Sequence, residues 1–297
     1  MCRELYDRFE EAKRAFHEAD DALGEPLSKL CFDGPREELT LTVNAQPAIL
    51  TASVAAARVL ESLGLKPDMV AGLSLGEYTA LVIAGSLSLR DAVLLTRKRG
   101  QFMQEACPPG RGAMAAILGL SAAEIEAMCF EARSVGVVQP ANYNCPGQIV
   151  VSGDAKAVAE VSRLARTKGA RAVPLDVSAP FHSPLIAAAE EKLRRELGCV
   201  SVRSPLIPVY SNVTGETETG PDEIVENLVK QVTSPVLWQT SVEAMRRDGA
   251  VAFLEVGPGK SLTGFVRRID PDAMAANFTS PLEIGAVLDF HREALLR

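Results

Sequence analysis

The chain has 297 residues, 47% of them hydrophobic and 23% charged, with a formal net charge of −7. That composition fits a globular protein with a substantial core, either one large domain or a large domain carrying a smaller insert. The acidic balance argues against nucleic acid as the main partner, and three histidines and six cysteines with no C-x-x-C pair argue against a metal site or a disulfide frame.

The chain opens on MCRELYDRFEE, charged and amphipathic, with no signal-peptide pattern. The most apolar long stretch carries Glu77 and several glycines, which makes a membrane span a poor reading. With its scattered thiols, the chain is expected to be cytoplasmic. Leu5, Phe9, Ala12, Phe16, Ala19 and Leu23 recur at steps of four and three, which predicts one amphipathic helix. Gly34-Pro35 breaks the loop after it. Pro47 is expected at the first position of a buried helix, AILTASVAAARVLESL, that ends at Gly64.

A short apolar run, Met69 to Ala71, then leads into Gly72-Leu73-Ser74-Leu75-Gly76 and an Ala-rich helix. This is G-x-S-x-G on a strand–turn–helix, the pattern that lifts a nucleophilic serine onto a sharp turn. Both glycines are expected to be needed because the turn leaves no room for a Cβ on either side. Ser74 is the candidate nucleophile, and the N–H of Leu75 is the candidate oxyanion donor at the helix start. Ser88 caps the next helix, which carries Arg97, Lys98 and Arg99.

A Pro/Gly cluster at 108–112 marks a boundary. Beyond it the pattern predicts a strand over 113–118, a helix over 121–133, strands over 135–138 and 148–152 around a polar loop NYNCPG, a helix capped by Asp154 through 168, and a strand over 172–177. This β-α-β-β-α-β order is ferredoxin-like. The expected fold is therefore α/β: a large α/β-hydrolase-like body with a mostly parallel sheet over 1–111 and 179–297, and a ferredoxin-like insert over 112–178. In the rest of the body the pattern predicts a helix starting at Ser183-Pro184, a strand over 205–211, a helix from Asp222 to about 232, Trp238 as a core anchor, a strand over 251–256 and a less patterned tail after Asp270.

A serine hydroxyl needs a base. His17 lies on the amphipathic first helix and His291 in the tail, and both read as solvated surface residues. His182 lies between a strand end and a helix start, in the kind of loop where active-site groups gather. Asp176 is near enough in sequence to orient it, but reads equally well as a strand-edge carboxylate facing water.

Taken together, GLSLGEYTALVIAGSLS, KRGQFMQEA, NYNCPGQIVVSGD, APFHSPLI, SNVTG, QVTSPVLW and EVGPGKSLTG resemble the malonyl-CoA:acyl-carrier-protein transacylases of type II fatty acid synthesis. They occur in the family's order and spacing, from the first helix to about Arg268. The resemblance implies that Ser74 is the nucleophile and His182 its base. It also implies that the backbone carbonyl of Gln231, rather than Asp176, orients the imidazole, and that Arg99 grips the substrate carboxylate. A guanidinium suits that task because it holds a carboxylate through two parallel charge-assisted bonds. Phe181 resembles the residue of malonyl-taking members.

The implied reaction is ping-pong transfer of malonyl from a coenzyme A thioester to acyl carrier protein, with no cofactor beyond malonyl-CoA as substrate. The implied oligomeric state is a monomer. Arg163, Arg166, Lys168, Arg171, Arg246 and Arg247 are candidates for receiving an acidic carrier protein. Two departures stand out. Leu73 replaces a common histidine, and the sequence contains no G-Q-G-S-Q loop, whose first Gln amide supplies the second oxyanion donor in the family. On that ground the chain is expected to be an N-terminally shortened form, weakly folded or weakly active. The alternatives are a serine esterase or acyl hydrolase, and a carrier-protein-binding module without full activity.

Overall fold

The helix Thr42–Ser62 is the spine of the larger body, and its Ala-rich sequence is buried on nearly every side. Small side chains let the helices Glu10–Leu23, Leu75–Ile83 and Leu89–Glu105 approach it closely. The structure, a computed structural model, describes residues 1–296. Among them no helix is long and apolar enough to cross a membrane.

Among the described residues nine strands follow in chain order: β1 (Val70–Ala71), β2 (Gly112–Leu118), β3 (Val138–Cys145), β4 (Gln148–Asp154), β5 (Arg171–Pro174), β6 (Val209–Tyr210), β7 (Thr217–Glu218), β8 (Ala252–Val256) and β9 (Met274–Phe278). In the body β1 pairs in parallel with β6, Val70 opposite Val209, and β7 adds antiparallel to β6. β8 and β9 form a second parallel pair. β1 and β8 are each bonded along one edge only. The elbow thus rises from the end of a short parallel strand, with helices around it, as an α/β architecture requires.

The segment between Gly112 and Pro174 forms a four-stranded antiparallel sheet in the order β3-β4-β2-β5. That is the ferredoxin-like order expected from the pattern. One face, through Ala115, Ile117, Ile149 and Val151, packs on the helices Ala122–Ala132 and Ala155–Thr167 in a core of its own. The other face presents Met114, Ala116 and Val150, with Ala141, against Phe181 beside the candidate base. β3 also bridges to the body: Tyr143 N–H donates to Val236 O at 2.9 Å, and Val236 N–H to Ala141 O at 2.8 Å.

Several local expectations are corrected. The first helix is two, Arg3–Arg8 and Glu10–Leu23, broken where Phe9 turns extended; the break lets the Tyr6 ring meet both Phe16 and Phe32. Pro47 lies inside its helix, which starts at Thr42. A proline five residues from the start loses only one intrahelical bond. NYNC is not a loop but the end of β3, since its amides are claimed by β4 and by Val236. Asp154 caps nothing; its carboxylate accepts the Val137 N–H at 2.8 Å. The tail after Asp270 contains β9 and the helix Ile284–Ala294. Trp238 is buried beside Val236, Val242 and Val266 as expected.

Candidate active site

Ser74 has φ 52° and ψ −103°, a left-handed conformation that a non-glycine residue adopts only under constraint. The constraint comes from packing across the turn. A Cβ on Gly72 would lie 2.0 Å from the Gly76 carbonyl, so only glycine fits there. The second glycine is different: nothing lies within 4 Å of a Cβ at Gly76. The expectation that both glycines are sterically required is therefore half right.

Asn212 locks the turn from the side. Its side-chain oxygen accepts the Ser74 N–H at 2.5 Å, and its amide nitrogen donates to Gly72 O at 2.7 Å. One side chain thus spans both limbs of the elbow. The Gly76 and Glu77 amides bond to Leu73 O and Ser74 O, and at the helix start the Leu75 N–H has no acceptor among the described residues.

The tertiary structure brings Ser74 and His182, 108 residues apart, to 2.8 Å between Oγ and Nε2. The other ring nitrogen, Nδ1, lies 2.7 Å from Gln231 O and donates to it. A carbonyl is an acceptor only, so the proton sits on Nδ1 and Nε2 is left as the acceptor facing the serine. His182 also has positive φ, 56°, and is 3% exposed. Burial, and next the Arg99 cation, push its pKa down to about 4, which keeps the imidazole neutral at neutral pH. Asp176 is exposed beyond the end of β5 and is not the orienting acceptor. His17 is exposed and bonds to Tyr6 Oη at 3.0 Å, whereas His291 is half-buried in the last helix.

Arg99 is buried, at 2% exposure. Its Nη1 donates to Gln46 Oε1 at 2.7 Å; its Nη2 donates to Gln231 Oε1 at 2.8 Å and reaches Ser74 Oγ at 3.1 Å. The guanidinium lies over the Tyr78 ring, 5.6 Å from its centroid, and Nε has no hydrogen-bond partner among the described residues. Among the described residues no carboxylate forms an ion pair with it. A buried cation held by neutral amides is costly, and burial accordingly lowers its pKa. An anion bound beside Ser74 would supply the missing countercharge.

Beneath the turn lies a buried polar layer that the sequence reading missed. The Gln231 side-chain amide donates to Ser74 O at 2.9 Å and to the Glu77 carboxyl. Glu77 is fully buried, and burial, then the neighbouring Glu218, raise its pKa to about 8. Glu218, raised to about 7 chiefly by its own burial, bonds to Asn227 at 2.9 Å. Gln46, Glu77 and Asn212 were not singled out from sequence. The available signal was a carboxylate inside an apolar helix and an asparagine inside a turn motif, neither of which names its partner.

Of the basic candidates, Arg163, Lys168, Arg246 and Arg247 form ion pairs with Glu160, Glu124, Asp270 and Glu216. Arg166 donates to Ala172 O, and Arg171 is exposed at the start of β5. Among the described residues no cluster of His, Cys, Asp and Glu is arranged to hold a metal.

The acyl transferase domain family matches residues 1–271. The malonyl CoA-acyl carrier protein transacylase of Bacillus subtilis is 49% identical over 272 residues, 91% of this chain and 86% of that protein. The protein of the same name from Escherichia coli is 45% identical over 291 residues, 97% of this chain and 94% of that protein. The crystal structure of the Clostridium perfringens malonyl CoA-acyl carrier protein transacylase superimposes with a TM-score of 0.96 at 40% identity, covering 100% of this chain and 94% of that one. A malonyl-transacylase solved in complex with its type II polyketide acyl-carrier protein superimposes at 0.94, also at 40% identity, over 97% of this chain and 94% of that one. With fold, motifs and a serine–imidazole pair in agreement, the chain belongs to the acyl transferase domain family, among the malonyl CoA-acyl carrier protein transacylases.

Proposed function

We propose that the protein transfers a malonyl group from malonyl-CoA to the phosphopantetheine thiol of acyl carrier protein, through a malonyl ester on Ser74. The observation that carries the reading is one hydroxyl contacted by two groups with different tasks: His182 Nε2 at 2.8 Å and the uncompensated Arg99 at 3.1 Å.

Ser74 Oγ attacks the thioester carbonyl carbon as its proton passes to His182 Nε2. Gln231 O holds the imidazole in the right tautomer and steadies the cation that forms. The Leu75 N–H stabilises the oxyanion. The C–S bond breaks, the coenzyme A sulfur takes the proton from His182, and malonyl-serine remains. In the second half the carrier thiol gives its proton to His182 and its sulfur attacks the ester. The proton then returns to Ser74 Oγ. The malonyl carboxylate stays on Arg99 throughout, in a poorly screened site where the pairing is strong. The segment 112–178 serves as a second subdomain, whose sheet sets Met114, Ala116 and Val150 against Phe181 beside His182. Arg166 and Arg171, the two basic candidates without an ion pair among the described residues, are the ones left to meet an acidic carrier protein.

Mixing the protein with malonyl-CoA and measuring intact mass tests this directly. A malonyl adduct mapped to Ser74, discharged on adding carrier protein, is expected; its absence with carrier protein still bound would indicate a binding module. An esterase has no use for a buried cation. Arg99→Ala should therefore lose about a hundredfold in malonyl transfer, the usual scale for removing a buried charge partner, while gaining transfer of uncharged acyl groups. Unchanged malonyl preference would favour the esterase.

A further inference from the structure

His182 and the carbonyl that orients it lie on separate loops, 49 residues apart, and neither loop belongs to a helix or a strand at the point of contact. His182 adds a strained backbone, with φ 56°, a conformation that persists only where surrounding contacts hold it. Something outside both loops must fix their spacing.

The side chain that spans them is Gln139, half-buried near the start of β3. Its amide nitrogen lies 2.9 Å from His182 O and 2.8 Å from Thr233 O. An amide nitrogen carries two N–H donors, and here each goes to a different loop. Thr233 is two residues beyond Gln231, so the second bond acts on the loop that presents the acceptor. The same strand grips that loop again through the Val236 bonds to Ala141 and Tyr143. One step further, Leu237 N–H donates to Asn212 O at 2.8 Å, and Asn212 is the residue that locks the elbow. The edge of the four-stranded sheet is thus the common anchor of the base, its acceptor loop and the nucleophile's clamp.

We propose that Gln139 is a positioning residue for acyl transfer, holding the His182 and Gln231 loops at the spacing that their imidazole–carbonyl hydrogen bond requires. It touches no reacting atom. Its effect is on where Nε2 points, and displacing a reacting pair by an ångström costs on the order of a hundredfold in rate. The inference rests on the Ser74–His182 reading above, and deepens it by giving the insert sheet a part in the chemistry.

Two variants test it in the full chain: Gln139→Met, which keeps length and removes both donors, and Gln139→Glu, which sets acceptors against two carbonyls. The readouts are the single-turnover rate of malonyl-serine formation, its half-saturating malonyl-CoA concentration, the pH profile of that rate and the thermal midpoint. For Gln139→Met the rate should fall about tenfold, with half-saturation unchanged within about twofold, and Gln139→Glu should fall further. Loosened loops also admit water to the imidazole, whose other neighbours are Ser74 Oγ, the Arg99 cation and the Ser234 backbone. The acid limb of the profile should therefore move up from near pH 4 toward the ordinary histidine range.

A wild-type rate per folded molecule in either variant would overturn the proposal. So would a lower thermal midpoint with rate and pH profile unmoved, since that marks a purely structural bond. Failure of the underlying reading is visible separately, in the wild-type chain, as the absence of any adduct on Ser74.

Discussion

The two halves of the reacting pair are held in different ways. Ser74 is placed chiefly by its neighbours, the short strand before it, the contact of Gly72 with Gly76 and the helix that starts at Leu75, with Asn212 clamping the finished turn from the side. His182 is placed by residues remote in sequence, through Gln231 O, Gln139 and the burial of its ring. Both backbones have positive φ. The turn at Ser74 is set by local sterics and fastened by one remote clamp, Asn212, whereas the loop of His182 depends on several remote contacts. The serine should therefore be less sensitive to distant changes than the imidazole, with Asn212 and Gln231 as the exceptions.

The largest effect should come from the non-local half. His182→Ala should slow malonyl-serine formation by about ten-thousandfold, the upper end for a lost general base, while leaving the folded chain intact. A rate within tenfold of wild type would mean that another group takes the serine proton.

Next are the two glycines, which separate the local half from mere sequence pattern. Gly72→Ala should cost more than about 3 kcal/mol or prevent folding, because its Cβ collides with backbone that cannot move aside. Gly76→Ala should be neutral or stabilising by up to about 1 kcal/mol, since its Cβ meets open space and alanine suits a helix better than glycine. Urea denaturation of both variants checks this, and equal losses would refute the steric account of the turn.

The smallest effect concerns the layer on which both halves rest. The raised pKa of Glu77, about 8, means that the folded state holds a proton which the unfolded state has released. Its contribution is fully present below the ordinary glutamate value near 4.5 and is lost as pH rises through about 8. His182 has the opposite sign: its pKa of about 4 gives stability present above 6.5 and lost as pH falls toward 4. The two slopes oppose each other between pH 4.5 and 6.5, so Glu77→Gln should make stability rise more steeply with pH there and flatten the decline between 6.5 and 8. Denaturation midpoints across that range measure it, and an unchanged slope would place the proton elsewhere.

Much of this was legible from residues alone, for reasons that differ by position. The elbow was readable because its requirement is local: a glycine where a Cβ cannot fit, a serine, a helix start. The caps at Ser88 and Ser121 were readable for the same reason, and the ferredoxin-like order followed from period and turn signals. The role of Gln231 left no trace in its own side chain, because a backbone carbonyl is the same in every residue, and only the family resemblance pointed to it. Arg99 reads in isolation as one cation among three neighbours on a helix. Asp176, attractive by proximity in sequence, is exposed beyond its strand.

The sequence by itself determined the turn that strains Ser74, the two-layer plan of the insert and the alternation of helix and strand, because each depends on residues within a few positions of one another. Only the tertiary structure decided which imidazole meets the hydroxyl, which carbonyl orients it, and that Arg99 is buried without an ion pair among the described residues. Those depend on distances across 25 to 132 residues of chain, which packing sets and residue order does not encode at any single position.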